Sequence, residues 1–218
     1  DRGWWDYTLR SYASWYWKKL LKVIDRFRTY PKDEYRVKEG YAWLIHSPST
    51  PKCSNFIWTK ISIPRHSLTA WMFMHQRLLV LHSLSRYTHL TPTECCICHQ
   101  SSETQDHLFF GCSYAKSIWG KLLTEWQVNV QMTGMEDFVN SLTKLKMSRR
   151  IRALFYAMVN AVIYNIWLVR NRKLFYSKAY PAEDMLKEIK RQVTLRVLHL
   201  HQYRQNYTSC SDFLLHKV

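Results

Sequence analysis

The stretch Thr93-Glu-Cys-Cys-Ile-Cys-His-Gln-Ser-Ser-Glu-Thr-Gln-Asp-His-Leu-Phe-Phe-Gly-Cys112 decides how this chain folds. Within it Cys95, Cys98, His107 and Cys112 are spaced C-x2-C-x8-H-x4-C. Three thiolates and one imidazole are the donors that tetrahedral zinc prefers, and four protein ligands leave no open coordination position. The spacing therefore predicts one structural zinc ion, not a hydrolytic one. Cysteines two residues apart form a knuckle whose tight turn lets both sulfurs reach one ion. His107 and Cys112 are five apart, which a regular α-helix would set about 140° apart around its axis. The backbone between them must bend, and Gly111 is placed to absorb the bend. Asp106 is expected to cap this turn or to accept a hydrogen bond from the imidazole, and Phe109 and Phe110 to roof the ion and dock it on neighbouring helices. Cys96 and His99 compete as ligands, although Cys96 with Cys98 would give a C-x-C pair of poorer bite. Buried cysteines without metal are the other reading. No H-x-E partner accompanies the cysteines, as a zinc deaminase requires.

Around this loop, lysines and arginines outnumber aspartates and glutamates by 32 to 16, a formal charge of +16. Charge on that scale steers a protein toward polyanions, with binding that weakens steeply in salt; a basic surface without a specific partner is the bland alternative. At 218 residues with 47% hydrophobic content, the chain can bury a real core. The few, clustered cysteines do not form a disulfide scaffold. Cys53 and Cys210 read as free thiols in a reducing compartment, nuclear or cytoplasmic. Continuous apolar runs such as residues 78–81 fall far short of the ~20 needed to span a bilayer, and no leader opens the chain. No methionine precedes Met72, so the chain reads as a piece of something longer or a processed product.

Helical periodicity dominates the rest. An aromatic-rich start leads into a helix over 14–28, with Trp17, Leu20, Leu21, Ile24 and Phe27 on one face and lysines elsewhere. Pro31 ends it, and a further helix is expected around 40–45. Residues 47–51 read as a loop, and 56–63 are stopped by Pro64. Leu68, Trp71, Met72, His75, Leu78 and Leu79 keep helical spacing, broken near 81–83 before a shorter helix to Tyr87. His75 and His82 are taken as hydrogen-bonded core histidines, not ligands. Ser113 is expected to cap a helix bearing Ala115, Ile118, Trp119, Leu122, Leu123 and Trp126. Residues 127–133 form a linker. A long helix over 148–176 carries the stripe Ile151, Phe155, Met158, Val162, Ile166 and Val169, with Arg170, Arg172 and Lys173 suiting its negative end. Pro181 starts a last helix through Tyr203, with Met185, Ile189, Val193, Val197 and Leu200 inward. The expected fold is mainly α: a helical domain with an inserted zinc-knuckle loop and a carboxyl-terminal helical extension.

The run 35–119 resembles the zinc-binding domain that follows the reverse transcriptase in plant LINE-type (non-LTR) retrotransposons. The resemblance rests on Tyr35-Arg-Val-Lys-Glu-Gly-Tyr41, Phe56-Ile-Trp58, Ile63-Pro64, Trp71, His75-Gln-Arg-Leu78, Cys95-x-x-Cys98, His107-Leu-Phe-Phe-x-Cys112 and Trp119. Trp15-Tyr-Trp17, Ile163-Tyr-Asn-Ile-Trp167 and Arg170-Asn-Arg172 look like flanking sequence of such polyproteins. The family usually has another residue at Cys96 and often glycine at His99. The resemblance implies a zinc-dependent, nucleic-acid-binding carboxyl-terminal segment of a retroelement protein, divided as 1–34, 35–126 and 127–218.

Nothing matches a polymerase palm, because Tyr-x-Asp-Asp is missing and the acidic pairs Asp33–Glu34, Glu136–Asp137 and Glu183–Asp184 lack a third convergent carboxylate. The chain is therefore not expected to polymerise or cut. Candidate contacts to RNA or DNA are Arg86, Lys116, Arg149, Arg150 and Arg152, with RNA favoured and no membrane partner. A protein-interaction scaffold derived from a retroelement fragment is the rival reading.

Overall fold

In a computed structural model, the structure describes residues 14–30, 36–37, 39–40, 43, 53–85, 93–178 and 180–203. These are mostly helical and contain no strand; one isolated antiparallel bridge, Glu94 to Ser102, closes the knuckle loop. The chain divides into two compact units, 1–50 and 51–218.

In the first unit, helix α1 spans Trp15–Phe27. The Ser14 hydroxyl accepts from the Trp17 amide at 3.2 Å, the expected role of a serine before a helix. Leu21 and Ile24 are buried, but Leu20 is exposed, so the apolar face is narrower than the sequence pattern suggests. Phe27, Tyr30 and Trp43 form a ring cluster with centroids 5.6–6.0 Å apart.

The second unit contains α2 (Ser54–Ile57), α3 (Pro64–Met74), α4 (Leu81–Leu84), a π-helical turn (His107–Gly111), α5 (Ser113–Trp126), α6 (Met135–Lys144), α7 (Arg149–Tyr176) and α8 (Ala182–Tyr203). Helix α7 is the axis. Its middle is buried all round, from Leu154 through Ile163, because α2, α3, α5, α8 and the π turn all pack on it. A helix apolar on every side belongs inside a core, so the single stripe expected from the sequence is too narrow. By length and composition α7 could cross a membrane, yet most of its apolar window is covered by its own neighbours. Asn160, fully buried on α7, donates to Phe56 O (3.0 Å), Ile57 O (3.1 Å) and Ser62 Oγ (3.2 Å), tying the end of α2 to the axis.

Several local expectations are corrected. Pro64 does not merely stop a segment; it is the first residue of α3, where its missing N–H costs nothing. Helix α3 ends at Met74, and Leu68 and Leu79 are exposed instead of inward. His75 and His82 are exposed, so neither is a core histidine, while His66 is fully buried. Residues 127–133 are followed by an unanticipated helix, α6, whose Phe138, Val139 and Leu142 enter the core. Cys112, not Ser113, is the cap residue of α5. Met185, Ile189, Val193 and Val197 are inward on α8 as expected. Glu136–Asp137 and Glu183–Asp184 occupy the first turns of α6 and α8, where carboxylates favour the positive helix end. Pro31, Asp33–Glu34, Arg86, Tyr87 and Cys210 lie outside the described residues, as do residues 41, 42, 44 and 45 of the helix expected around 40–45.

Candidate metal centre

Three elements converge on the centre. The knuckle turn closes through His99 N donating to Cys95 O (2.9 Å) and Cys95 N donating to Ser101 O (2.8 Å). His99 adopts φ 54°, a left-handed conformation that glycine takes without cost, which accounts for the glycine expected at this position. The next element starts at Thr104, whose Oγ1 accepts from the His107 amide at 3.0 Å. Thr104 therefore does the capping expected of Asp106, which is exposed and makes no side-chain cap bond.

From His107 the backbone winds as a π turn, with Cys112 N donating to His107 O, five residues back. One extra residue per turn returns residues i and i+5 to nearly the same face. This is the bend that the x4 spacing demands. No described glycine has positive φ, so Gly111 is not needed for backbone freedom. It is needed for space: a Cβ there would stand 3.0 Å from His107 Nδ1. The imidazole thus turns its Nδ1 edge to Gly111 and its Nε2 to Cys98 Sγ, 3.2 Å away.

The Sγ atoms of Cys95, Cys98 and Cys112 and a ring nitrogen of His107 all lie within 4.8 Å of one another. Donors at the vertices of a zinc tetrahedron, with Zn–S near 2.3 Å, are separated by about 3.8 Å. Donor identity and spacing both fit one zinc ion. Cys95 and Cys112 are fully buried, Cys98 and His107 partly so.

The electrostatics favour the same set. A hydrogen bond from Cys95 holds Cys112 below the ordinary cysteine range, and the Ala115 and Tyr114 amides at the start of α5 add to this against burial. Cys95 is pushed up by that same bond and then by burial. One proton between two sulfurs is what a divalent cation displaces on binding. Burial pulls His107 toward its neutral form, opposed by Glu103 and assisted by Lys116, and neutral imidazole is the ligating form.

Cys96 points elsewhere. Its thiol faces Glu103 Oε2 (3.5 Å) and Arg170 O (3.7 Å), and burial, then the Glu103 carboxylate, push it up to about 12. It stays a thiol donor, and the competition with Cys95 and Cys98 resolves against Cys96; His99 is exposed and outside the cluster. Sequence reasoning missed the pair next to it. Glu103 Oε1 accepts from Arg170 Nη2 (2.7 Å), Arg170 Nε (3.0 Å) and the Leu81 amide (2.8 Å). The sequence placed Arg170 only as a charge suiting the negative end of the helix; in the structure it is buried, with its guanidinium 4.8 Å from the Trp167 ring centroid. The sole sequence signal was Arg170 in a segment that already resembled the family's flank.

Phe109 and Phe110 are buried and dock the turn, with Phe73 4.6 Å and 5.9 Å from their rings and Phe138 5.3 Å from Phe110. Trp119 Nε1 donates to Phe109 O at 2.9 Å, satisfying a buried carbonyl within the π turn.

The basic residues proposed from sequence do not gather at one place. Lys116 stands on the first turn of α5 beside the centre, where its charge acts on His107. Arg149 and Arg150 are exposed at the start of α7, 21 residues before Arg170 at the knuckle, or about 30 Å along the helix. Arg152 is half-buried and donates through Nη2 to Met147 O at 2.7 Å. Arg86 lies outside the described residues.

Residues 35–119 match the model of a protein family described as zinc-binding in reverse transcriptase. No curated protein and no solved structure matches the chain. With the four-ligand cluster inside the matched span, the chain contains, over residues 35–119, a zinc-binding domain of the kind associated with reverse transcriptase.

Proposed function

We propose that the chain is a zinc-stabilised nucleic-acid-binding segment, carboxyl-terminal to the polymerase of a plant LINE-type retroelement protein, with RNA as its preferred partner. It acts inside the cell, in nucleus or cytoplasm, and contributes binding instead of catalysis. The observation that carries this reading is a closed Cys3His site, in a domain of the reverse-transcriptase-associated kind, on a chain of formal charge +16. A closed zinc site supplies folding free energy and a fixed loop geometry, while lysines and arginines supply a salt-sensitive attraction to phosphates.

Zinc-loaded and chelated protein, titrated with a structured RNA and a random duplex across a salt series, test the reading. It expects tighter binding to the structured RNA and a marked loss on chelation. Equal affinities in all four arms refute it and favour a protein-interaction scaffold.

A further inference from the structure

The stretch between Glu39 and Glu94 contains no aspartate or glutamate, although it supplies all of α2, α3 and α4. On α5 and α8 several cations sit against carboxylates: Lys121 with Glu183, Lys190 with Glu125, Arg191 with Glu188. On the acid-free segment Lys60, Arg65 and Arg77 are exposed, and none has a carboxylate partner among the described residues.

Aromatic rings lie among these cations. Trp58, which ends α2, is 55% exposed and leads through Lys60 into α3. At the far end of α3, half-buried Trp71 has the His75 ring 4.7 Å away and the Arg77 guanidinium 5.4 Å from its centroid. Arg65 stands 5.3 Å from the Tyr164 ring. The 11 residues of α3 span about 16 Å, room for several nucleotides of an extended strand.

We infer that the outer face of the α2–α3 segment is the nucleic-acid surface, and that it takes a single-stranded polynucleotide, with Lys60, Arg65 and Arg77 on phosphates and Trp58 and Trp71 on base faces. This rests on the nucleic-acid-binding reading above and adds the place and the strandedness. Base faces are available for aromatic stacking only where the strand is unpaired; a duplex hides them. Lys60, Arg65 and Arg77, none of them ion-paired with a carboxylate among the described residues, supply the phosphate attraction. The face is joined to the zinc centre, because Gln105 Nε2 donates to Phe73 O at 2.8 Å and Phe73 packs on Phe109, so the zinc turn holds the end of α3. The exposed Trp58 ring lies two residues from Lys60, whereas residues 144–153 around Arg149 and Arg150 contain no aromatic, so the rings favour this face over that end of α7.

The test uses zinc-loaded full chain and fluorescent single-stranded RNA, single-stranded DNA of the same sequence, and the matching duplexes. Wild type is expected to bind either single strand at least tenfold tighter than its duplex, the two strand types separating an RNA from a DNA preference. The triple variant K60E/R65E/R77E is expected to lose at least tenfold on single strands and to lower the salt slope by about 2, at about 0.7 per lost contact. Trp58→Ala is expected to lose about tenfold and Trp58→Phe to recover most of it. Zinc content and helical circular dichroism verify folding, with K60Q/R65Q/R77Q replacing the triple reversal if it fails that check. Unchanged binding by the triple variants, or a larger loss in R149E/R150E, overturns the assignment while leaving the nucleic-acid reading standing. Tighter wild-type binding to duplex overturns the single-strand assignment alone, and no wild-type binding at all overturns both readings.

Discussion

Arg170 Nη2 lies 2.7 Å from Glu103 Oε1, with 2% and 0% of the two side chains exposed, so the zinc knuckle and the end of α7 share one buried ion pair. Removing one partner leaves an uncompensated charge in the interior, which costs about 3–5 kcal/mol, whereas replacing both by apolar residues costs far less. Arg170→Met and Glu103→Leu should each lower the denaturation midpoint of zinc-loaded protein strongly, and the double variant should recover most of the loss. Additive losses in a double-mutant cycle would mean that the two side chains do not act as a pair.

Gly111 leaves room for the His107 ring, since a Cβ would stand 3.0 Å from Nδ1. Gly111→Ala should displace the ring and weaken zinc affinity about tenfold or more, within the range for residues that orient ligands. Competition against a metallochromic chelator measures it. An affinity equal to wild type would show that the turn yields without moving the imidazole.

Cys96 faces Glu103, not the metal cluster. Cys96→Ala should keep one zinc per chain, while Cys98→Ala should lose it or bind it far more weakly. Metal analysis of both purified variants decides the assignment, and a zinc-free Cys96→Ala would reverse it.

His66 is buried against Tyr164, ring centroids 4.4 Å apart, with neither ring nitrogen hydrogen-bonded. Burial, with Arg65 adding to it, holds its pKa at about 3, below the ordinary 6.5. The unfolded chain therefore takes up this proton first. The stability tied to neutral His66 is fully present above pH 6.5 and is lost as pH falls toward 3, by about 1.4 kcal/mol per pH unit. His66→Phe should flatten the fall in stability between pH 6.5 and 4.5 relative to wild type. Parallel curves for the two proteins would show that His66 does not carry it.

The ligand set was legible because zinc chemistry limits both residue types and spacing, and the i, i+5 step from His107 to Cys112 already required a departure from α-helix. Long helices were legible because the apolar periods of α7 and α8 repeat over many turns. Helix α6 was not, since Phe138, Val139 and Leu142 in ten residues give too short a pattern to separate from a linker. Arg170 and Glu103 were illegible for a different reason: they are 67 residues apart, and a charged side chain reads as surface until its partner is placed beside it. His75 is not a core histidine because α3 ends at Met74, leaving it in the turn beyond, whereas the buried His66 carried no signal that singled it out.

Zinc X-ray absorption on the purified chain tests the central claim most directly. One zinc per chain with three sulfurs at about 2.3 Å and one nitrogen at about 2.0–2.1 Å is the predicted shell. A shell of four sulfurs, a shell with oxygen ligands, or a chain that purifies folded without zinc would contradict it.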